Sequence, residues 1–206
     1  LDYLTRGRVV LGVGVGGEGA KDFEAVGVAP SQRRARADES MRALKELALV
    51  TGGEPAPYSP YGVHLEPGGG DVGDLDAVRE GLAVVQDEGS QLVALALTRV
   101  PVDGDAHRWL DLCAGPGGKA ALLGGLVALE GGALDAVEPA EHRAELVRRA
   151  VDGLPVTVHV ADGRSAPLPD ATFDRVLVDA PCTGLGALRR RPEARWRRRP
   201  DDVAEL

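Results

Sequence analysis

The sequence predicts an α/β fold built on a parallel sheet, and three observations carry that prediction. From residue 107 onward, short apolar strands alternate with helical stretches of ten or more residues. One of those strands runs into a glycine-rich turn that opens a helix, residues 111–119 (DLCAGPGGK). Acidic residues follow the next strands. Strands and helices alternating at this length pack as a parallel sheet with helices on its faces. Sheets of that kind bind ligands at the carboxyl ends of their strands.

The elements follow in order. Residues 107–113 (HRWLDLC) read as a strand, 117–129 as a helix and 133–138 as a strand. Residues 140–151 read as a helix charged on one side, 156–160 (VTVHV) as an alternating strand, and 173–179 (FDRVLVD) as a further buried strand. Upstream, 41–50 (MRALKELALV) fits a short amphipathic helix. Residues 51–73 are rich in Gly and Pro and read as loops around one strand at 62–65. Residues 75–79 form a short connector. Residues 86–99 (QDEGSQLVALALTR) read as a helix capped by Ser90, with Leu92, Leu95 and Ala96 as its apolar face. Turn residues at 101–105 mark a boundary. Three parts result: 1–40 unassigned, 41–104 a small α+β segment with a linker helix, and 105–206 the sheet domain. Within the first part, 9–19 (VVLGVGVGGEG) is glycine-rich without a flanking strand-helix pattern.

Composition narrows the classes. Hydrophobic residues make up 44% of the 206 and aromatics 3%, so the core must be built from Val, Leu and Ala. There is no Ile and no Asn, and three Lys stand against 21 Arg, the bias of a GC-rich bacterial genome. A net charge of -8 argues against a surface coated for nucleic acid, but the average hides a patch. Seven arginines crowd into 189–199 around Trp196. Two cysteines are too few for a disulfide framework. No apolar run approaches the roughly 20 residues of a membrane span, and no signal peptide opens the chain. A cytoplasmic location, without membrane or metal, is the expectation. The chain begins at Leu1 and stops at Leu206 in mid-pattern, which reads as a fragment.

Four features carry chemistry. In DLCAGPGGK, glycines let the backbone approach a ligand, and the helix start offers unpaired N–H groups. The spacing is neither the dinucleotide fingerprint nor a phosphate-binding loop, and the plain alternative is an ordinary strand-helix turn. Glu138 closes the next strand, where an acid can accept hydrogen bonds from ribose hydroxyls; otherwise it is a solvated carboxylate. Asp162 in VADGR follows another strand, and alone would be a turn-former. Together these groups point to a nucleoside-containing cofactor. The fourth feature is 179–186 (DAPCTGLG). Asp179 can hydrogen-bond a base edge or hold a cofactor. Cys182 sits on a loop at the ligand edge, as a reactive thiol or as a small buried one.

The stretches DLCAGPGGKA, AVEPAEHRAELVRR, ADGR and DAPCTGLGALRRRPEARWRR resemble successive motifs of the Sun/Fmu family of bacterial rRNA cytosine-C5 methyltransferases. VQDEGSQLVALAL is similar to the segment leading into that family's catalytic domain. The likeness covers residues from about 75 to 206, weaker from about 45, and leaves 6–40 unaccounted for. It implies a Rossmann-like methyltransferase domain, here incomplete, with S-adenosylmethionine as cofactor and RNA, expected to be ribosomal, as partner; a monomer is the separate expectation. The 41–104 segment would be of RNA-binding type.

By the same resemblance, the backbone of Cys113, Ala114, Gly115, Pro116, Gly117, Gly118 and Lys119 cradles the methionine part of the cofactor. Glu138 binds ribose, Asp162 meets adenine, and Asp179 lies between cofactor and target cytosine. The attacking cysteine belongs to a Thr-Cys motif downstream of this chain, and Cys182 matches the cysteine that assists product release. Arg189, Arg190, Arg191 and Arg195 would contact RNA, against the alternative of a solvated face. Two other readings remain. One is an RNA- or cofactor-binding remnant without turnover. The other is a nucleotide-dependent dehydrogenase, against which DAPC and the missing G-x-G-x-x-G argue.

Overall fold

Four parallel strands make the larger sheet of the computed structural model, which describes residues 10–13, 48, 51–65, 71–79, 83–182 and 196. They are β5 (Arg108–Asp111), β6 (Ala133–Val137), β7 (Val156–His159) and β8 (Arg175–Leu177), in spatial order β7-β6-β5-β8. The chain steps outward from β5 to β7 and then returns past β5 to lay down β8. Trp109 of β5 pairs with Leu134 on one side and with Arg175 on the other. The reversal puts a topological switch point between β5 and β8, the place where open α/β sheets bind ligands.

One face of this sheet carries the main core. Trp109, Leu134, Ala136 and Leu177 pack with Ala94 and Leu95 of α2 (Glu88–Arg99), Leu123 and Val127 of α3 (Gly118–Leu129), and Val147 of α4 (Glu141–Ala150). The sequence of α3, GKAALLGGLVAL, is apolar all round, as a helix enclosed on several sides must be. Gly124 lets it approach the sheet closely, since a Cβ there would lie 2.6 Å from Val156 Cγ2. Helix α4 buries only Ala144 and Val147. Its outer side carries ion pairs from Arg148 to Glu141 and Glu145, and from Arg149 to Glu145.

A second, antiparallel sheet runs in the order β2-β3-β1-β4. Its strands are β1 (Val10–Val13), β2 (Glu54–Pro55), β3 (Gly62–His64) and β4 (Ala83–Gln86). Val63 and Ala83 are its buried centre, with Leu65, Ala77 and Val78 against them. The expected connector at 75–79 contains a helical turn, α1 (Asp76–Arg79), which follows a 3-10 turn at Val72–Asp74.

Three expectations are corrected. Gln86 ends a strand and does not begin the long helix; α2 starts at Glu88, capped by Asp87, whose carboxylate accepts from Gly89 N–H at 2.8 Å. Asp just ahead of the helix is as good a cap as Ser, so Ser90 falls inside. The buried face of α2 is Gln91, Ala94 and Leu95, while Leu92 and Ala96 are exposed. Polar contacts set that rotation: Ser59 Oγ donates to Gln91, and Glu88 accepts the N–H groups of Tyr58 (2.7 Å) and Ser59 (2.9 Å). Finally, β8 is buried on one face only: Arg175 and Leu177 point inward, while Val176 and Val178 are exposed.

Arg175 locks the sheet to α2. It pairs with Asp105 through Nε (2.8 Å) and Nη2 (2.7 Å), and donates from Nη1 to the carbonyls of Leu97 and Val100. Carbonyls at a helix end lack intrahelical donors, and a cation there satisfies them. Removing one partner of so buried a pair costs about 3–5 kcal/mol. The expected helix at 41–50, apart from Ala48, the unassigned 1–40, apart from β1, and the arginine run lie outside the described residues. Trp196 is exposed. Among the described residues no helix is long and apolar enough to cross a membrane.

Candidate cofactor and active site

The carboxyl ends of the four parallel strands carry, in spatial order, Asp162, Glu138, the 112–117 loop and Asp179. That arrangement follows from the strand order alone.

The loop after β5 needs its glycines. Gly117 has φ +111, and a Cβ there would lie 2.7 Å from Ala150 Cβ and 3.1 Å from Val147 Cα. A side chain would be both strained and in collision with α4. A Cβ on Gly115 would lie 2.2 Å from Glu138 Oε2. The loop therefore rests directly on the acid that ends β6.

Glu138 is 2% exposed, which rules out a solvated carboxylate. Its Oε2 accepts from Gly115 N–H at 3.2 Å, and its Oε1 from Ala140 N–H at 3.1 Å. Arg143, on the first turn of α4, donates to the Gly115 carbonyl at 2.7 Å and lies 3.6 Å from Glu138 Oε2. A carboxylate oxygen has two lone pairs, and Oε1, with one N–H donor, keeps one unfilled. Arg143 was not anticipated. It lies within the stretch AVEPAEHRAELVRR, but its own part is visible only once the turn from β6 into α4 folds it back onto the loop.

Lys119, in the first turn of α3, pairs with Asp179 at 2.6 Å. The pair joins the loops after β5 and β8 across the switch point. Beneath it lies Asp111, 1% exposed at the end of β5. Burial pushes its carboxyl up to about 6; the Cys113 N–H and Lys119 oppose that rise, and Asp179 adds to it. Neither oxygen of Asp111 completes a well-formed hydrogen bond, so the Cys113 N–H helps without full geometry. Asp111 opens the glycine-rich motif read from the sequence, but no role attaches to it there; an acid directly before such a turn is the available signal.

The Cys113 thiol is also pushed up, by burial first and then by Asp111, Glu138 and Asp179. A thiol so placed resists becoming the thiolate that nucleophilic attack requires. Cys182 is exposed, beyond Asp179. Asp162 forms a turn, accepting from Arg164 N–H at 2.9 Å, and the Arg164 side chain holds its carboxyl down to about 2. That turn packs on the end of β5: a Cβ on Gly163 would lie 2.9 Å from Leu112 Cγ. The structure thus gathers residues 113–119, Glu138 and Asp179 tightly, with Asp162 alongside. Arg189, Arg190, Arg191 and Arg195 lie outside the described residues.

Residues 96–206 match the family model described as 16S rRNA methyltransferase RsmB/F, and that span holds the whole edge just described. The chain belongs to this family. Among its relatives, the Mycobacterium tuberculosis protein Rv1407, named only as a methyltransferase, is 63% identical over 161 residues. That alignment covers 78% of this chain and 35% of the relative. Ribosomal RNA small subunit methyltransferase B of Salmonella newport is 40% identical over 158 residues, 75% of this chain and 35% of the relative. The chain spans about a third of the length of these relatives. Among solved structures, a methyltransferase homolog from Pyrococcus horikoshii superposes with a TM-score of 0.62 at 20% identity. It covers 95% of this chain and 54% of the other, and shows the shared fold. Residues 1–64 match a second model, the luciferase-like monooxygenases. That match takes in the stretch the RsmB/F pattern leaves unaccounted for, and reaches into the segment read as RNA-binding.

Proposed function

We propose that this chain is the cofactor-binding part of an enzyme that methylates carbon 5 of a cytosine in ribosomal RNA with S-adenosylmethionine. The observation that carries the reading is the closed set of contacts at the sheet edge: Glu138 against Gly115, and Lys119 against Asp179. The residues fit the group. Gly115 and Gly117 leave no room for side chains, so backbone lines the site, and Glu138 is a buried acid at the position suited to ribose hydroxyls.

When bound, S-adenosylmethionine supplies an electrophilic methyl group on a sulfonium. The loop of residues 113–119 holds the methionine end, Glu138 the ribose and Asp162 the adenine. Asp179, held by Lys119, accepts from the cytosine's exocyclic amine and so orients the base. The reaction would add a thiolate to carbon 6 of that base, pass the methyl group to carbon 5 with the neutral thioether as leaving group, lose the carbon 5 proton to a base and release the thiolate. Cys113 is unsuited to that attack, and the attacking cysteine is assigned outside these 206 residues. Cys182 assists the elimination. Arg189, Arg190, Arg191 and Arg195 contact RNA phosphates, the 41–104 segment adds RNA-binding surface, and the protein works in the cytoplasm as a monomer.

The test is to incubate full-length protein and residues 1–206 separately with unmodified rRNA and labelled S-adenosylmethionine. Label on cytosine carbon 5 is expected from the full-length protein only. Label elsewhere would overturn the reaction assigned. Transfer by the short chain, lost on Cys182→Ala, would make Cys182 the nucleophile. Absence of turnover in the full-length protein, with cofactor binding intact, would favour a binding remnant.

A further inference from the structure

A cavity of about 330 Å³ lies between the end of β4, the start of α2 and the glycine-rich loop. Its size falls in the range of small-molecule sites. Cys113, Gly115, Gly118 and Lys119 line it from one side, and Gln86 and Ser90 from the other. Two observations show what it would accept. The first intrahelical bond of α3 is Ala121 N–H to the Gly117 carbonyl, so the N–H groups of the three residues before Ala121 have no such partner. The macrodipole of a 12-residue helix adds partial positive charge at that end. Separately, Gln86 Nε2 is buried without a hydrogen-bond partner, and lies 3.3 Å from where a Gly118 Cβ would sit. A buried amide that donates to nothing is costly unless a ligand supplies the acceptor. The helix end favours an anion and the amide needs an acceptor oxygen; a carboxylate serves both.

We propose that Gln86, on the last position of β4, is a cofactor-binding residue that donates to the carboxylate at the amino-acid end of the methyl donor. The inference rests on the cofactor reading above and deepens it. Gly115 belongs to both places: its N–H meets Glu138, and it also lines the cavity. One ligand can therefore hold its ribose at Glu138 and its carboxylate at Gln86 by crossing this loop. The smaller sheet then has a part in cofactor binding, because β4 ends in the residue that closes the cavity.

The test uses calorimetry on the full chain with two probes. S-adenosylhomocysteine has the amino-acid end; 5′-methylthioadenosine has the same nucleoside without it. Gln86→Glu keeps the shape but sets a carboxylate against a carboxylate, and Gln86→Ala removes the donor. Each should weaken S-adenosylhomocysteine about ten- to a hundredfold, the worth of a hydrogen bond to a charged group, with Gln86→Glu the weaker binder. Neither should change 5′-methylthioadenosine. Equal losses for both probes would mean a merely structural role, and unchanged binding of S-adenosylhomocysteine would remove Gln86 from the site. Either result overturns the proposal while the cofactor reading stands. Binding of neither probe by the unaltered chain would overturn the cofactor reading itself.

Discussion

Lys119 Nζ and Asp179 Oδ2 meet at 2.6 Å across the switch point between β5 and β8. The two residues are far apart in the chain, and each begins from a different strand end. Lys119 is largely buried and Asp179 about half exposed, so the lysine is the fixed partner and the acid the positioned one. Lys119→Ala should lower the melting temperature only slightly, because Asp179 is half exposed and water can solvate its carboxylate once the lysine is gone. Methyl transfer by the full-length protein should fall steeply, since a misplacement of about 1 Å can cost about a hundredfold. Melting curves and initial rates on the same variant check this. An unchanged rate would mean that Asp179 needs no holding.

Glu138→Ala should weaken cofactor binding by about 1–3 kcal/mol, as expected for a lost charged acceptor. It also frees the Gly115 N–H and leaves Arg143 without its carboxylate, so the loop should exchange hydrogen faster. Titration calorimetry and amide exchange at 113–119 measure the two effects. Unchanged affinity would take Glu138 out of the site.

Asp111 should make stability depend on pH in the sense opposite to most carboxylates. Its folded-state value of about 6 lies above the unfolded value, so the folded protein holds this proton more tightly. Its contribution is full below about pH 4 and is lost as pH rises toward 6; a rise of that size is worth about 3 kcal/mol. Asp111→Asn carries no such proton. Denaturant titrations from pH 4 to 7 should show Asp111→Asn gaining stability relative to the unaltered protein as pH rises. A constant difference would show that Asp111 titrates normally.

Gly117→Ala should destabilise the fold by about 1–3 kcal/mol, through a left-handed backbone and an overpacked contact with α4. Gly104→Ala is the control, since φ there is +69 but nothing lies within 4 Å of the added Cβ. Thermal melts of both separate strain from collision: Gly117→Ala should lose more.

Much of the sheet domain was legible in the sequence. The alternating run at 156–160, the short apolar runs at the other strands and the helices of ten or more residues named β5 through β8 and the helices among them, because strands and helices alternating at these lengths pack as a parallel sheet with helices against it. The glycine-rich turn and the acids Glu138 and Asp179 were legible for the same reason: each follows directly on a strand, and strand ends share one edge. The smaller sheet was only partly so. Its strands are two to four residues long, too short for a period to show, and β4 merged with the helix that follows it.

The sequence alone determined which residue types stand at the strand ends and, through the family motifs, which chemistry they suit. Tertiary structure decided how those residues meet. The rotation of α2 came from Ser59 and Glu88 acting across some 30 residues, overriding the apolar pattern of its own segment. The burial of Asp111 and Glu138, the clasp of Arg143 on Gly115 and the open amide of Gln86 all depend on partners distant in the chain. Local sequence sets a residue's preferred backbone and face; what fills the space opposite is set only when the sheet closes and its edge is assembled.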